Sequence, residues 1–144
     1  MRYIWMAALT LLLTACNYDF VPTPVPEEIH TVVYTKSTGN QNSILRVTNN
    51  NLKVQKTIQN RSGIVSNRVG KATPNDYNIM ATMLEKADFM KVKSVPGRGT
   101  PGIVETLVVE TQAETYTFTQ DANTQFPPAI AQTVSALPGI FTIK

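Results

Sequence analysis

A period of two in hydrophobicity dominates residues 29–71 and limits this part of the chain to extended structure. Successive side chains of a strand point to opposite sides, and the stretch is rich in β-branched residues, which favour strands. Turn-forming residues interrupt the alternation three times, once as Asn49-Asn50-Asn51. The pattern therefore predicts four strands joined by short turns, over residues 29–36, 43–48, 52–59 and 64–71.

The segment after the fourth predicted strand carries the features of a helix N-terminus. Thr73 suits the N-cap, Pro74 the first helical position, and Asp76 the acidic position of a capping box. Apolar side chains then recur at helical spacing, at Tyr77, Met80, Ala81 and Leu84. The sequence predicts a helix over about residues 74–87.

Beyond the first predicted helix, a loop rich in Pro and Gly at 96–102 precedes a return of strand-like sequence. Residues 103–111 are apolar at both odd and even positions, as is typical of an interior strand whose two sides are both covered. Residues 115–119 alternate aromatic side chains with threonines. Residues 115–119 therefore predict a strand that pairs with the strand at 103–111 as a hairpin.

The last predicted helix begins after Phe126-Pro127-Pro128. Pro138-Gly139 is expected to end it, and residues 140–144 are expected to add a short edge strand. Antiparallel strands interrupted by two helices predict an α+β fold. We expect an antiparallel sheet of about five to six strands, with both helices packed on one face.

The first 16 residues combine a basic head at Arg2, an apolar run over 4–13 and small residues before Cys16, which together predict an export signal. The run is shorter than the about 20 residues that a membrane-spanning helix needs. Leu13-Thr14-Ala15-Cys16 resembles the lipobox of bacterial lipoproteins. The resemblance implies cleavage before Cys16, a diacylglycerol on its sulfur and an acyl chain such as palmitate on its amino group. An ordinary secretory signal is the alternative.

These features divide the chain into a signal peptide (1–15), a lipidated cysteine with a proline-rich tether (16–28) and one α+β domain (29–144). Pro22, Pro24 and Pro26 favour polyproline II, which rises about 3.1 Å per residue, so the tether could span roughly 35 Å. In the familiar sorting rule, Asp after the lipidated cysteine retains a lipoprotein in the inner membrane. Asn17 therefore favours the outer membrane, facing the periplasm, with the inner membrane and the cell surface as alternatives.

Charge and cysteine content limit the partners. Removal of Arg2 with the signal leaves 12 basic and 10 acidic residues, a net charge of +2 that is too small to predict a nucleic-acid partner. The one cysteine is the predicted lipid site, so no disulfide is expected, and the fold must hold by packing alone. No cofactor is expected beyond the lipid itself.

The inventory of reactive side chains predicts a protein that is not an enzyme. His30 is the one histidine, whereas a catalytic zinc needs three protein ligands and a triad needs a base oriented by an acid. Glu105 and Glu110 are an odd number apart on one predicted strand, so their carboxylates should point to opposite sides. Glu85 and Asp88 share one side near a helix end, where solvent is their expected neighbour.

The charged residues are segregated along the domain. Residues 29–75 hold bases and no acid, whereas 103–121 hold acids and no base. One interpretation is a basic face that binds anionic lipid head groups, lipopolysaccharide or an acidic partner. The other is a set of outward strand positions that form cross-strand ion pairs. The candidate basic face consists of Lys36, Arg46, Lys53, Lys56, Arg61, Arg68 and Lys71.

The domain also resembles small bacterial domains of the emfourin type. The resemblance lies in the order of elements, a helix that ends in the phrase 84–89, a hairpin at 115–120 and a helix opened by Pro127-Pro128. It does not extend to the loop at 96–102 or to the basic strands. Some members inhibit thermolysin-type metalloproteases, while others, lipoproteins among them, have no known role; no inhibitory residue is transferred.

The sequence as a whole predicts a membrane-anchored lipoprotein whose domain is a non-enzymatic binding or accessory module of the cell envelope. Membrane lipid is the expected partner of Cys16, and an envelope protein or an anionic glycolipid is the candidate partner of the domain. An inhibitor of a thermolysin-type metalloprotease is the alternative that the second resemblance implies.

Overall fold

The structure is a computed structural model that describes residues 28–94 and 101–143. The predicted lipid site Cys16, the predicted tether up to residue 27 and most of the predicted loop at 96–102 lie outside these residues. The described strands are β1 (Ile29–Thr38), β2 (Gln41–Thr48), β3 (Lys53–Asn60), β4 (Gly63–Lys71), β5 (Ile103–Thr111) and β6 (Thr115–Gln120). The helices are α1 (Pro74–Lys86) and α2 (Pro128–Ile140).

The strands form one antiparallel sheet in the order β4-β3-β2-β1-β5-β6. Three successive hairpins connect the four strands from β1 to β4, and the β5–β6 hairpin then joins the other side of β1. The predicted α+β class is therefore confirmed.

One side of the sheet carries the core, because alternate strand residues on that side meet both helices. Val32, Val47 and Val109 occupy one cross-strand level, and Leu45, Leu107 and Phe118 the next. All six are buried, and they form one cluster with Met80, Leu84, Ile130, Val134 and Leu137 of the helices. The buried strand residues recur with a period of two and therefore point to one side of the sheet. Residues of both helices join their cluster, so both helices cover that side.

The start of α1 has the predicted capping box. The Thr73 hydroxyl accepts a hydrogen bond from the Asp76 amide at 3.1 Å, and the Asp76 carboxylate accepts one from the Thr73 amide, also at 3.1 Å. These two bonds satisfy amides that the helix itself leaves without partners. Pro74 follows at the first helical position, as predicted.

The end of α2 differs from the prediction, since the helix continues through Pro138 to Ile140. A proline fits the φ angle of a helix and removes one amide donor, which is tolerable when packing holds the last turn. Leu137 and Phe141 provide that packing, because both are buried. The predicted edge strand at 140–144 is wrong for its described residues: Phe141–Ile143 form no strand, and Ile143 packs over Gly70 of β4.

The connection between β2 and β3 also differs from the prediction. Leu52, expected in the third strand, closes a short 3-10 turn and has a positive φ of 49°. Asn51 before it has φ 58°, a conformation that asparagine tolerates well. The carbonyl of Leu52 accepts a hydrogen bond from the Ala72 amide at 2.8 Å, which ties this turn to the end of β4.

Candidate functional site

No helix among the described residues packs on the side of the sheet opposite α1 and α2, and we call that side the open face. It consists of the strand side chains that alternate with the core positions, which the register arranges in three rows across all six strands. The basal row, nearest the start of β1, is Lys71, Lys53, Thr48, Thr31, Glu110 and Thr115. The middle row is Val69, Gln55, Arg46, Val33, Val108 and Thr117. The third row is Asn67, Thr57, Ile44, Thr35, Thr106 and Thr119.

The centre of the open face is aliphatic and uncharged apart from Arg46. Val33, Ile44 and Val108 are half-buried, and Val69 on the edge strand β4 is 55% exposed. Threonines fill most of the positions around them, and Thr31, Thr57 and Thr119 are buried among their neighbours. Such a surface combines apolar area with dispersed hydrogen-bonding groups, as protein interfaces do.

The charges of the open face separate along the basal row. Lys53 and Lys71 are direct cross-strand neighbours on β3 and β4, while Glu110 lies on β5. Two strands stand between Lys53 and Glu110, so about 14 Å separates their backbones. None of the three forms an ion pair with another residue in 28–94 or 101–143. Within the described residues, these opposite charges are therefore left without ion-pair partners.

The seven residues of the candidate basic face are divided between the two sides of the sheet. Arg46, Lys53 and Lys71 lie on the open face. Lys36, Lys56 and Arg68 belong to the helix side, where Lys56 and Arg68 are cross-strand neighbours. Arg61 is exposed in the β3–β4 turn at the far end of the sheet. A single ligand lying on the open face can contact three of them, and whether they bind an anion stays a prediction.

The charge pattern of the sequence allowed cross-strand ion pairs as the alternative to a basic face, and Lys36 forms such a pair. Its ammonium lies 2.9 Å from the carboxylate of Glu105, directly opposite on β5. The neighbouring Tyr34 has its pKa raised to about 12, first by burial and then by the charge of Glu105 and a hydrogen bond with it. Lys36, Tyr34 and Glu105 therefore form a cluster on the helix side and are not part of the open face.

A second candidate is an open groove of about 620 Å³ at the basal end, where the chain enters β1. Its walls are Glu28, His30, Thr31, Thr48 and the turn Asn49, Asn50 and Asn51. The Asn49 side-chain amide donates to the Glu28 carboxylate at 2.7 Å, so two of its polar groups satisfy each other. The groove places His30 beside amides and hydroxyls and beside the one carboxylate of Glu28.

The carboxylates considered for catalysis are separated. Glu105 points to the helix side and Glu110 to the open face, in keeping with their odd spacing. Asp88 forms an ion pair with Lys91 at 3.1 Å, and Glu85 is exposed. Among the described residues, no three His, Cys, Asp or Glu side chains cluster closely enough to hold a metal ion.

The sequence patterns missed the open face as a unit, although its signal is present in the composition of the strands. Outward positions of half-exposed strands are usually charged or polar. Here many of them are Thr, Val or Ile, as at Val33, Thr35 and Ile44. The small number of charged residues at the strand positions that point away from the core is thus the feature that could have identified this surface.

In comparisons with protein-family models, curated protein sequences and solved structures, no match to the chain was found. The resemblances to lipoproteins and to emfourin-type domains therefore stay predictions. In the part of the chain that the structure describes, no helix is both long and apolar enough to cross a bilayer.

Proposed function

We propose that this protein is a bacterial lipoprotein, anchored through acyl chains on Cys16, whose domain is a non-enzymatic binding module of the cell envelope. The domain binds its partner through the open face. The observation that carries this proposal is the half-buried aliphatic centre at Val33, Ile44 and Val108, flanked by charges that form no ion pair with another described residue. Covering one such half-exposed side chain would contribute about 1 kcal/mol, so several together support specific association.

The position at which the chain enters the domain agrees with a role on a membrane. Glu28 leads into β1 at the basal end, beside the turn that ends at Leu52. A tether attached there leaves the open face on a flank of the domain. A partner anchored in the same membrane, or carried in the periplasm, can approach that flank from the side.

The anchor is tested by the mass of the amino-terminal peptide of the protein isolated from its host membranes. We expect a peptide that begins at Cys16 and carries a diacylglycerol and one further acyl chain. Cys16→Ser should abolish incorporation of labelled palmitate and release the protein from the membrane fraction. The substitution removes the sulfur that carries the diacylglycerol, so no acyl chain holds the protein to the bilayer. An unmodified amino terminus, or unchanged fractionation of Cys16→Ser, would remove the anchor from the proposal.

The binding surface is tested separately by crosslinking in intact cells, followed by mass spectrometry of the captured species. Ile44→Asp places a charge in the centre of the open face and should abolish capture. Ile79→Asp is the matched control, since Ile79 is 42% exposed on α1, away from that face. Circular dichroism and thermal unfolding of both variants verify that each folds. Equal capture by both variants would contradict a role for the open face.

A further inference from the structure

We infer that the partner on the open face is a second copy of this chain, related to the first by a twofold axis parallel to the strands. The inference rests on the proposed function, because it names the occupant of the same surface. It requires that the open face be complementary to itself, and three observations meet that requirement: the strand order, the charges of the basal row and the size of the sheet.

The strand order places three strands on each side of the line between β2 and β1. When two such sheets meet face to face about an axis along that line, β2 lies over β1 of the other copy, β3 over β5 and β4 over β6. Rotation about an axis parallel to the strands does not shift positions along them. Each row of one copy therefore meets the same row of the other, as in the aligned packing of two sheets about 10 Å apart.

Within the basal row, this arrangement brings opposite charges together. Lys53 on β3 lies across from Glu110 on β5 of the second copy, and the symmetry repeats the pair. Lys71 on β4 faces the end of β6, next to Glu114 in the β5–β6 turn. Arg46 is close to the axis in the middle row, and its long side chain can reach towards the same Glu110. Lys53 and Glu110, which pair with no other described residue within one chain, thus lie opposite each other between two copies.

With the same axis, the tether of each copy joins its domain at the basal end of the pair. Two tethers that leave from one end can reach anchors in one membrane. An axis perpendicular to the strands would put the two entry points at opposite ends of the pair, and it would also place β3 over β3. Of the two ways to stack these sheets symmetrically, only the parallel axis satisfies both the charges and the proposed anchors.

The area is sufficient for a stable pair. Six strands at about 4.8 Å spacing, each about eight residues long at about 3.3 Å per residue, give a face of about 700 Å². Two copies would bury about 1,400 Å² together, which lies within the usual range of specific interfaces. Val33, Ile44 and Val108 lie near its centre together with Arg46, while Lys53, Lys71 and Glu110 lie nearer its border, so the interface would have a mainly apolar core and a charged rim.

The test is a charge exchange in the full-length lipidated protein, with the molar mass measured by sedimentation in detergent over a dilution series. Wild type should sediment as a dimer. Lys53→Glu and Glu110→Lys should each weaken association about tenfold, because each places like charges in contact. The double variant should regain affinity to within about threefold of wild type. Since two strands separate these residues within one chain, recovery in the double variant can arise only between copies.

A second measurement uses crosslinking in native membranes and does not depend on detergent. Lys53→Cys combined with Glu110→Cys should give a covalent dimer with a bis-maleimide of about 10 Å reach. Lys56→Cys combined with Glu105→Cys, a pair on the same two strands but on the helix side, is the matched control and should give no dimer. A monomeric wild type throughout the dilution series, a double variant no better than the single ones, or equal crosslinking of both pairs would overturn the inference.

The outcomes separate this inference from the proposed function. A protein that carries acyl chains and binds another envelope molecule, but sediments as a monomer, overturns the self-association alone. A dimer without acyl chains overturns the anchor alone. An anionic lipid on the open face would also be recognisable and would overturn the inference: binding to vesicles with anionic head groups would weaken in Lys53→Glu and strengthen in Glu110→Lys.

Discussion

Two tyrosine hydroxyls show how single residues connect the layers of this fold. Tyr77 of α1 donates a hydrogen bond to the carbonyl of Ile29, at the point where the chain enters the sheet. Burial and then the nearby Glu28 raise the pKa of Tyr77 to about 12. Tyr34 has a pKa of about 12 for a similar reason, with Glu105 as the neighbouring acid. Both side chains are therefore more strongly protonated in the folded chain than in the unfolded one.

These pKa values predict how stability changes in alkali. A group whose pKa rises from 10.0 to about 12 on folding contributes its full stability below pH 10 and loses it as the pH approaches 12. We expect the free energy of unfolding in urea to fall steadily between pH 10 and 12. Tyr34→Phe, which cannot ionise, should reduce the slope. An unchanged slope in this variant would contradict the assignment to Tyr34.

The hydroxyl of Tyr77 should also matter at neutral pH. Tyr77→Phe removes the donor to the Ile29 carbonyl and is expected to lower the free energy of unfolding by about 1 kcal/mol. The measurement is urea unfolding at pH 7. Tyr34→Phe removes a hydroxyl that is hydrogen-bonded to the Glu105 side chain, so it should also lower the free energy of unfolding and gives the side-chain counterpart of this backbone bond. A neutral effect of Tyr77→Phe would show that the bond is replaced by water.

At the scale of elements, local sequence signals located most strands and helices, and tertiary packing changed the rest. The start of α1 followed from Thr73, Pro74 and Asp76 because a capping box is a local structure. The end of α2 did not follow from Pro138, because the burial of Leu137 and Phe141 that holds its last turn depends on distant parts of the chain. Leu52 was likewise misplaced because its turn conformation is supported from the end of β4.

The capping box gives a prediction for α1 as an element. Thr73→Ala removes the acceptor for the Asp76 amide and should lower the free energy of unfolding by about 1 kcal/mol. Thr73→Ser keeps a hydroxyl at the N-cap and should stay close to wild type. Urea unfolding of the two variants measures the difference. Equal loss in both would mean that the methyl group, and not the hydrogen bond, is the stabilising part.

At the scale of the molecule, the sheet order decides which surface can bind. The candidate basic face grouped Lys53 with Lys56, although an odd spacing on one strand puts them on opposite sides, and the period of two does not show which side the helices cover. It also could not predict that β5 returns to β1, because that pairing joins residues about 70 positions apart. The separation of Lys53 from Glu110 across the open face depends on both facts. The open face could therefore be identified only once the order of the strands was known, whereas the hydrophobic pattern of the sequence was enough to predict the α+β class.

The central claim is that the open face is covered by a partner in the membrane, and hydroxyl-radical footprinting of intact membranes tests it most directly. Val33 and Val108 should be labelled several-fold less in membranes than in the purified Ile44→Asp variant. Ile79 on α1 is the internal reference and should be labelled equally in both. Equal labelling of Val33 and Val108 in both samples would contradict the claim.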